Sequence, residues 1–152
     1  MLELRPERLS LLDKAGQNIS VCGKAFVADP SGALYWPGEK ALLVADLHLE
    51  KGSSYAARGQ MLPPYDTRET LTKLAEAIDR YEPATIIALG DSLHDGGADQ
   101  RMSSDNREIL AMLQENREWI WVTGNHDPKI PALFGGTVVD ELEVEGIALR
   151  HA

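Results

Sequence analysis

Cysteine is almost absent from this sequence, and that scarcity limits the kinds of protein it can encode. Cys22 is the single cysteine among 152 residues, so no disulfide forms within the chain and no thiolate cluster holds a structural zinc ion. A reducing, cytoplasmic location is therefore the expectation. Cys22 itself is predicted to be buried, because free cysteine is among the most buried residue types.

Long apolar runs and excess positive charge are also missing. No segment approaches the length of a membrane span, and the N-terminal stretch MLELRPERLSLLDKAG lacks the apolar centre of a signal peptide. Fifteen Lys and Arg stand against 24 Asp and Glu, which gives a formal net charge of -9. This excludes a general nucleic-acid coat protein, which would be basic. It leaves room for an enzyme that acts on nucleic acid, because bound cations offset the charge of acidic ligands.

The apolar pattern predicts an α/β fold in a single domain over residues 1–152, a length that allows a sizeable core. Three short apolar segments are typical of strands buried on both faces: 41–45, 85–89 and 119–122. Two helices separate them, one starting at Asp66 with a capping box to Glu69 and one spanning about 104–117. This order predicts a parallel sheet that binds ligands at the carboxyl ends of its strands.

Antiparallel strands are predicted on both sides of this central unit. Residues 20–27 form one strand, Asp29–Gly32 is a turn, and residues 33–36 return. Residues 138–151 alternate like a hairpin whose turn is at Glu145-Gly146.

Each apolar strand is followed by a polar cluster rich in metal-binding side chains. The clusters read Asp46-Leu47-His48, then Gly90-Asp91-Ser92-Leu93-His94-Asp95, then Gly124-Asn125-His126-Asp127. Three of the four histidines lie in these clusters, and the fourth is His151. Any one cluster is a weak signal, since turns use the same residues. Three of them meeting at one sheet edge indicate a metal site.

The donor types suit a phosphoesterase. Carboxylate, imidazole and amide oxygen bind divalent ions such as manganese, zinc or iron. Two such ions about 4 Å apart clamp the attacking and leaving oxygens of a displacement at phosphorus and lower the pKa of a bound water. Asp91, after the middle strand, is the natural carboxylate to bridge them.

The three motifs, D-x-H, G-D-x-x-H/D and G-N-H-D/E, occur in order over residues 46–127 and resemble those of the calcineurin-like metallophosphoesterases. Residues 45–54, with Arg58-Gly59 and residues 62–67, more narrowly resemble the ligase-associated DNA damage response phosphoesterases, the PdeM group, which is related to the SbcD-type nucleases. The resemblance implies a four-layer α/β/β/α sandwich with the metals at one edge.

The same resemblance implies metal binding at five positions. Asp46 and His48 would bind the first ion, Asp91 would bridge both ions, and Asn125 and His151 would bind the second. Mn²⁺ would be the preferred ion at both positions, and Zn²⁺, Fe²⁺ and Mg²⁺ are the alternatives.

Two further histidines would act without binding metal. His126 would be the general acid or stabilise the transition state, and His94 would lie close to the substrate phosphate or the bridging water. Asp95 and Asp127 would orient the imidazoles. Lys51 and Arg58 are candidates for phosphate contacts, with solvated surface charge as the equal alternative.

The resemblance implies a nuclease or phosphodiesterase linked to DNA repair. Its substrate would be DNA, with single-stranded DNA preferred, or a small phosphodiester. A ligase or a helicase is a candidate partner. The acidic charge leaves open a phosphomonoesterase or cyclic-nucleotide phosphodiesterase. A non-catalytic binding module that kept the fold is the alternative of another class.

The pattern departs from the family at its end. The family's G-H-x-H motif, which gives each metal one more histidine, does not occur before the last residue, Ala152. A truncated chain and a natural short form are both open, and truncation is favoured because a stop there would leave an unpaired sheet edge. The expectation is therefore a sandwich that is C-terminally incomplete and poorly active alone.

Overall fold

The structure is a computed structural model that describes residues 16–50, 66–93, 101–123 and 130–151. Two α-helices occur in these ranges, α1 (Asp66–Tyr81) and α2 (Ser104–Gln114). The strands, in chain order, are β1 (Gln17–Val21), β2 (Lys24–Ala28), β3 (Leu34–Trp36), β4 (Ala41–Val44), β5 (Thr85–Leu89), β6 (Glu118–Val122), β7 (Thr137–Val139), β8 (Glu141–Val144) and β9 (Ile147–Arg150). Short 3₁₀ turns follow β3 and precede β7, at Pro37–Glu39 and Ala132–Phe134.

A seven-stranded sheet runs from β1 to β7 in chain order. The first four strands pair antiparallel, and β4, β5, β6 and β7 pair parallel. The predicted parallel sheet is thus confirmed, with its three apolar strands as neighbours. They are buried because both faces are covered: every residue of β4 is buried, and so are the central three of β5.

The two helices cover one face of this sheet. Leu71, Leu74 and Ile78 recur at helical spacing along α1, and all three are buried against the sheet. α1 begins at Asp66, as predicted, and the capping box to Glu69 stays a prediction. Helix α2 starts after Ser103, whose hydroxyl accepts a hydrogen bond from the Asn106 amide (3.1 Å). None of the helices within the described ranges is long and apolar enough to cross a membrane.

The hairpin β8–β9 covers the other face. Leu149 is buried there with Leu43, Ile87 and Ile120, one residue from each central strand. The described residues therefore form three layers, α/β/β, of the expected sandwich, and the mixed α/β fold with a parallel-rich sheet is confirmed.

Two sequence-based expectations about the flanking strands are wrong, and so is the expected burial of Cys22. Residues 20–27 form parts of two strands, because Cys22 (φ 50°) and Gly23 (φ 76°) make the two-residue turn between β1 and β2. Both turn residues have the positive φ that the favoured hairpin turn needs, and Cys22 is consequently exposed rather than buried. Val138 belongs to β7 in the large sheet, so the C-terminal hairpin begins only at β8. All three N-terminal strands lie in the large sheet.

The predicted turn at Asp29–Gly32 is present and is tied to the end of α1. The Asp29 side chain is 1% exposed and pairs with Arg80, Nη1 to Oδ1 being 2.5 Å. The Tyr81 hydroxyl donates to the same oxygen (2.7 Å), while the backbone and hydroxyl of Ser31 donate to Oδ2. One buried carboxylate therefore joins the β2–β3 turn to the helix that packs beside it.

Candidate metal centre

Parallel pairing brings two predicted ligand segments to the same sheet edge. Val44 at the end of β4 lies opposite Ala88 in β5, so the residues that follow the two strands emerge side by side. Asp46 comes two residues after β4 ends, and Asp91 comes two residues after β5 ends. This is the edge at which parallel sheets bind ligands.

Backbone hydrogen bonds continue between the two segments beyond the strands. The amide of Asp46 donates to Gly90 O (3.2 Å), that of His48 to Asp91 O (2.9 Å) and that of Leu49 to Ser92 O (2.8 Å). Because each predicted ligand lies on one of these bonded segments, the positions of Asp46, His48 and Asp91 are set by main-chain contacts.

The backbone at these residues is in the left-handed region. Asp46, His48 and Asp91 have φ values of 55°, 46° and 48°. A non-glycine residue there costs roughly 1–2 kcal/mol, so the surrounding contacts must hold the conformation. Such strain is frequent at functional sites, and three of the nine described non-glycine residues with positive φ are predicted ligands.

The three side chains converge. One ligand atom each from Asp46, His48 and Asp91 lie within 4.8 Å of one another. Asp46 is exposed, and His48 and Asp91 are half-buried. Two carboxylates and an imidazole at this spacing are a donor set that fits a divalent cation.

His151 adds a fourth donor beside this cluster. It follows β9, and its Nε2 lies 3.6 Å from Asp91 Oδ1. Its Nδ1 lies 3.4 Å from Leu89 O. In the tautomer that carries hydrogen on Nδ1, the Nδ1–H group faces the Leu89 carbonyl. The lone pair of Nε2 then faces the side of the ring where Asp91 lies. This is the usual arrangement of a metal-binding histidine. Asp91 is therefore common to the cluster and to the His151 contact.

Gly90 makes room for His151. A Cβ built at Gly90 would lie 2.3 Å from the His151 ring, and Gly90 has φ +76°.

We expect Gly90→Ala to displace the imidazole and to lower Mn²⁺ affinity, measured by calorimetric titration, by about 10–100-fold, the usual effect of disturbing the groups that orient ligands. Gly146→Ala is the matched control, because Gly146 has φ +79° but nothing within 4 Å of its Cβ position. Equal Mn²⁺ affinity in the two variants would contradict the prediction.

A contact that the sequence did not reveal supports this segment from α1. The Thr67 side chain is buried, and its Oγ1 accepts a hydrogen bond from the Glu50 amide (2.8 Å). Arg101 Nη2 donates to Glu50 O (3.3 Å). Glu50 is itself left-handed (φ 65°), so both contacts hold a strained residue close to His48. The only sequence signal was the position of Thr67 in the first turn of a helix, which says nothing about its partner.

The other predicted site residues lie outside the described residues, and their roles stay predictions. They are Lys51, Arg58, His94, Asp95, Asn125, His126 and Asp127.

Comparisons with known proteins agree with the geometry. Residues 40–147 match the calcineurin-like phosphoesterase family. Among solved structures, the chain is similar to the crystal structure of the Pseudomonas putida nuclease MPE, with 28% sequence identity and a TM-score of 0.68. That match covers 90% of this chain and 66% of the nuclease chain, so this chain spans slightly less than two thirds of its relative. No curated protein sequence matches significantly. Because the family match covers most of its length and contains Asp46, His48 and Asp91, the chain belongs to the calcineurin-like phosphoesterase family.

Proposed function

We propose that this protein is a metal-dependent phosphodiesterase that cleaves nucleic acid, using two divalent cations. The observation that carries the proposal is the convergence of Asp46, His48 and Asp91 at the carboxyl ends of two parallel strands. Similarity to a Pseudomonas putida nuclease supports a nucleic-acid substrate. The net charge of -9 is compatible with it, because cations held at the site offset the acidic ligands.

The chain's residues divide between two ion positions. Asp46 and His48 would hold the first ion, and Asp91 would contribute to both because it also lies 3.6 Å from His151. His151 and Asn125 would hold the second. Divalent cations bound there supply Lewis acidity that stabilises charge on phosphoryl oxygens and lowers the pKa of water. Carboxylate, imidazole and amide donors suit Mn²⁺ first, with Zn²⁺, Fe²⁺ and Mg²⁺ as alternatives.

The protein's own part in bond cleavage is assigned to two histidines on motif grounds. His126 would hold a proton at the leaving-group oxygen and release it as the P–O bond breaks. His94 would lie beside the substrate phosphate, with Asp95 and Asp127 orienting the imidazoles. Lys51 and Arg58 would contact non-bridging phosphate oxygens.

A role in DNA repair is the finer proposal. It is supported by the resemblance of residues 45–54 and 62–67 to the ligase-associated PdeM group. It makes single-stranded DNA the first substrate to test and a ligase or helicase the first partner. Residues 1–152 would act as one domain.

The test compares four substrates under one set of conditions: single-stranded DNA, bis-p-nitrophenyl phosphate, p-nitrophenyl phosphate and a cyclic nucleotide. We expect hydrolysis of single-stranded DNA and bis-p-nitrophenyl phosphate that stops with a chelator and returns with Mn²⁺, and much slower hydrolysis of p-nitrophenyl phosphate. Faster turnover of p-nitrophenyl phosphate would instead identify a phosphomonoesterase, and preference for a cyclic nucleotide a cyclic-nucleotide phosphodiesterase. A chain that binds less than about one metal ion and gains no activity from Mn²⁺ would be a non-catalytic module.

A further inference from the structure

A cavity of ≈ 210 Å³ lies beside the metal cluster, between the β2–β3 turn and helix α1. Asp46 belongs both to the wall of this cavity and to the cluster. A ligand that fills the cavity would therefore lie next to any phosphate that cations hold at Asp46. None of the predicted roles of the metal-site residues uses this cavity.

The walls differ in chemistry. Val44, Leu74 and Ala77 are buried residues that give the cavity an apolar side. Thr70 and Lys73 line it from α1 and add polar side chains. Polar and apolar surface line the cavity in about equal measure, which suits a ligand that has both apolar faces and polar edges.

The cavity is preformed because both of its sides are fixed. On one side the β2–β3 turn contributes Ser31, whose backbone and hydroxyl donate to Asp29. On the other side α1 is held to the same Asp29 through Arg80 and Tyr81. The carboxylate thus sets the spacing between turn and helix, and a ligand need not order these elements on binding.

The volume and the lining residues of the cavity limit the kind of ligand that it can hold. A volume of ≈ 210 Å³ is below the roughly 300 Å³ at which pockets for drug-sized ligands begin. The cavity suits one sugar–base unit rather than an oligonucleotide. The apolar residues suit the faces of a ring, and the polar side chains of Thr70 and Lys73 suit the hydrogen-bonding edges of a base.

We propose that this cavity is a subsite for the nucleoside moiety esterified to the scissile phosphate, with Thr70 and Lys73 as its specificity-determining residues. The proposal rests on the proposed phosphodiesterase function, since it assumes a phosphate at the Asp46 cluster. The proposal predicts a substrate preference. Of two phosphodiesters with the same leaving group, the enzyme would prefer the one that carries a nucleoside over the one that carries a small alkyl group.

The experiment uses two substrates that release the same p-nitrophenolate. Thymidine 5′-monophosphate p-nitrophenyl ester carries a nucleoside, and methyl p-nitrophenyl phosphate carries a methyl group in its place. Thr70→Trp would fill the cavity. Thr72→Trp is the matched control, because Thr72 is exposed on the same helix, does not line the cavity and donates along the helix to Arg68 O. Circular dichroism melting establishes that each variant is folded.

For Thr70→Trp we expect kcat/KM to fall about tenfold on the nucleoside ester, equivalent to 1.4 kcal/mol, and to stay unchanged on the methyl ester. Thr72→Trp should change neither value. Lys73→Ala changes an exposed side chain, so this variant should fold even if Thr70→Trp does not. It should show the same selective loss of kcat/KM on the nucleoside ester. Equal effects of Thr70→Trp and Lys73→Ala on both esters, or no effect on either, would overturn the subsite.

Equilibrium binding separates this proposal from the proposed function. If the unsubstituted chain hydrolyses neither ester with any metal, the phosphodiesterase function fails, and binding of thymidine 5′-monophosphate measured by calorimetry decides the subsite. Binding that is weakened by Thr70→Trp but not by Thr72→Trp supports it. Absence of binding, or equal binding by both variants, refutes it.

Discussion

Replacing Asp91 with asparagine is expected to lower metal-dependent kcat/KM on bis-p-nitrophenyl phosphate by about 10³-fold or more, because several kcal/mol of Lewis-acid stabilisation depend on bound cations. The amide keeps the size of the side chain but removes the charge that Asp46, His48 and His151 surround. The loss should appear in metal content as well as in rate. Both are measurable, by steady-state kinetics and by elemental analysis of the dialysed protein.

The control for this change is Asp105→Asn. Asp105 is an exposed carboxylate in the first turn of α2, so its neutralisation alters net charge by the same amount without touching the cluster. Activity within about twofold of the unsubstituted chain is expected there, as for most surface changes. An Asp91→Asn chain that keeps its metal and more than about a tenth of its rate would remove Asp91 from the proposed site.

Asp29→Ala is expected to reduce the free energy of unfolding by about 3 kcal/mol, measured by urea denaturation. The change removes the carboxylate that Arg80 and Tyr81 share, together with both bonds from Ser31. Asp140→Ala is the control, because Asp140 is exposed and accepts a hydrogen bond from the Thr123 hydroxyl (3.3 Å), so its loss should cost no more than about 1 kcal/mol. Similar losses in the two variants would mean that burial of Asp29 contributes nothing special.

The effect of Asp29→Ala should depend on pH. Burial acts to raise the pKa of the Asp29 carboxyl, but hydrogen bonds from Ser31, Tyr81 and Arg80 outweigh it and hold the pKa below the ordinary value of 3.8. A depressed pKa in the folded state means that the stabilisation is present above pH 3.8 and is lost as pH falls through the lower folded-state value. The difference between Asp29→Ala and the unsubstituted chain should therefore shrink only under acid conditions below that range.

The contribution of Tyr81 to stability depends on pH in the opposite direction, because it is lost at high pH. Burial first, and then its bond to Asp29, raise the pKa of the Tyr81 hydroxyl to about 12 from an ordinary 10.0. The stabilisation is fully present below pH 10 and is lost as pH rises through about 12.

Local pattern was enough to predict the central sheet. Continuous apolar segments at 41–45, 85–89 and 119–122 require burial on both faces, and chain order then requires parallel pairing with helices on the sheet. From that order alone, Asp46 and Asp91 were expected at one edge. The structure brings them together with His48 because β4 and β5 are direct neighbours.

Local pattern was misleading where strands are short and exposed. Every residue of β1 is exposed, so no apolar alternation distinguishes β1 from β2, and the pattern predicts one strand across the turn at Cys22-Gly23. The pattern places Val138 in the C-terminal hairpin for a similar reason, because the pairing of β7 with β6 is a tertiary contact that the residues of β7 do not encode.

The sequence by itself determined the fold class, the family and the residue types at the strand ends, because burial period and motif spacing are local properties of the chain. Only the tertiary structure decided that Asp29 joins a turn to the end of α1 and that Gly90 leaves room for His151. It also decided that a cavity opens beside Asp46. Each of these depends on side chains far apart in sequence meeting at ångström distances, and no local pattern of residues specifies such a meeting.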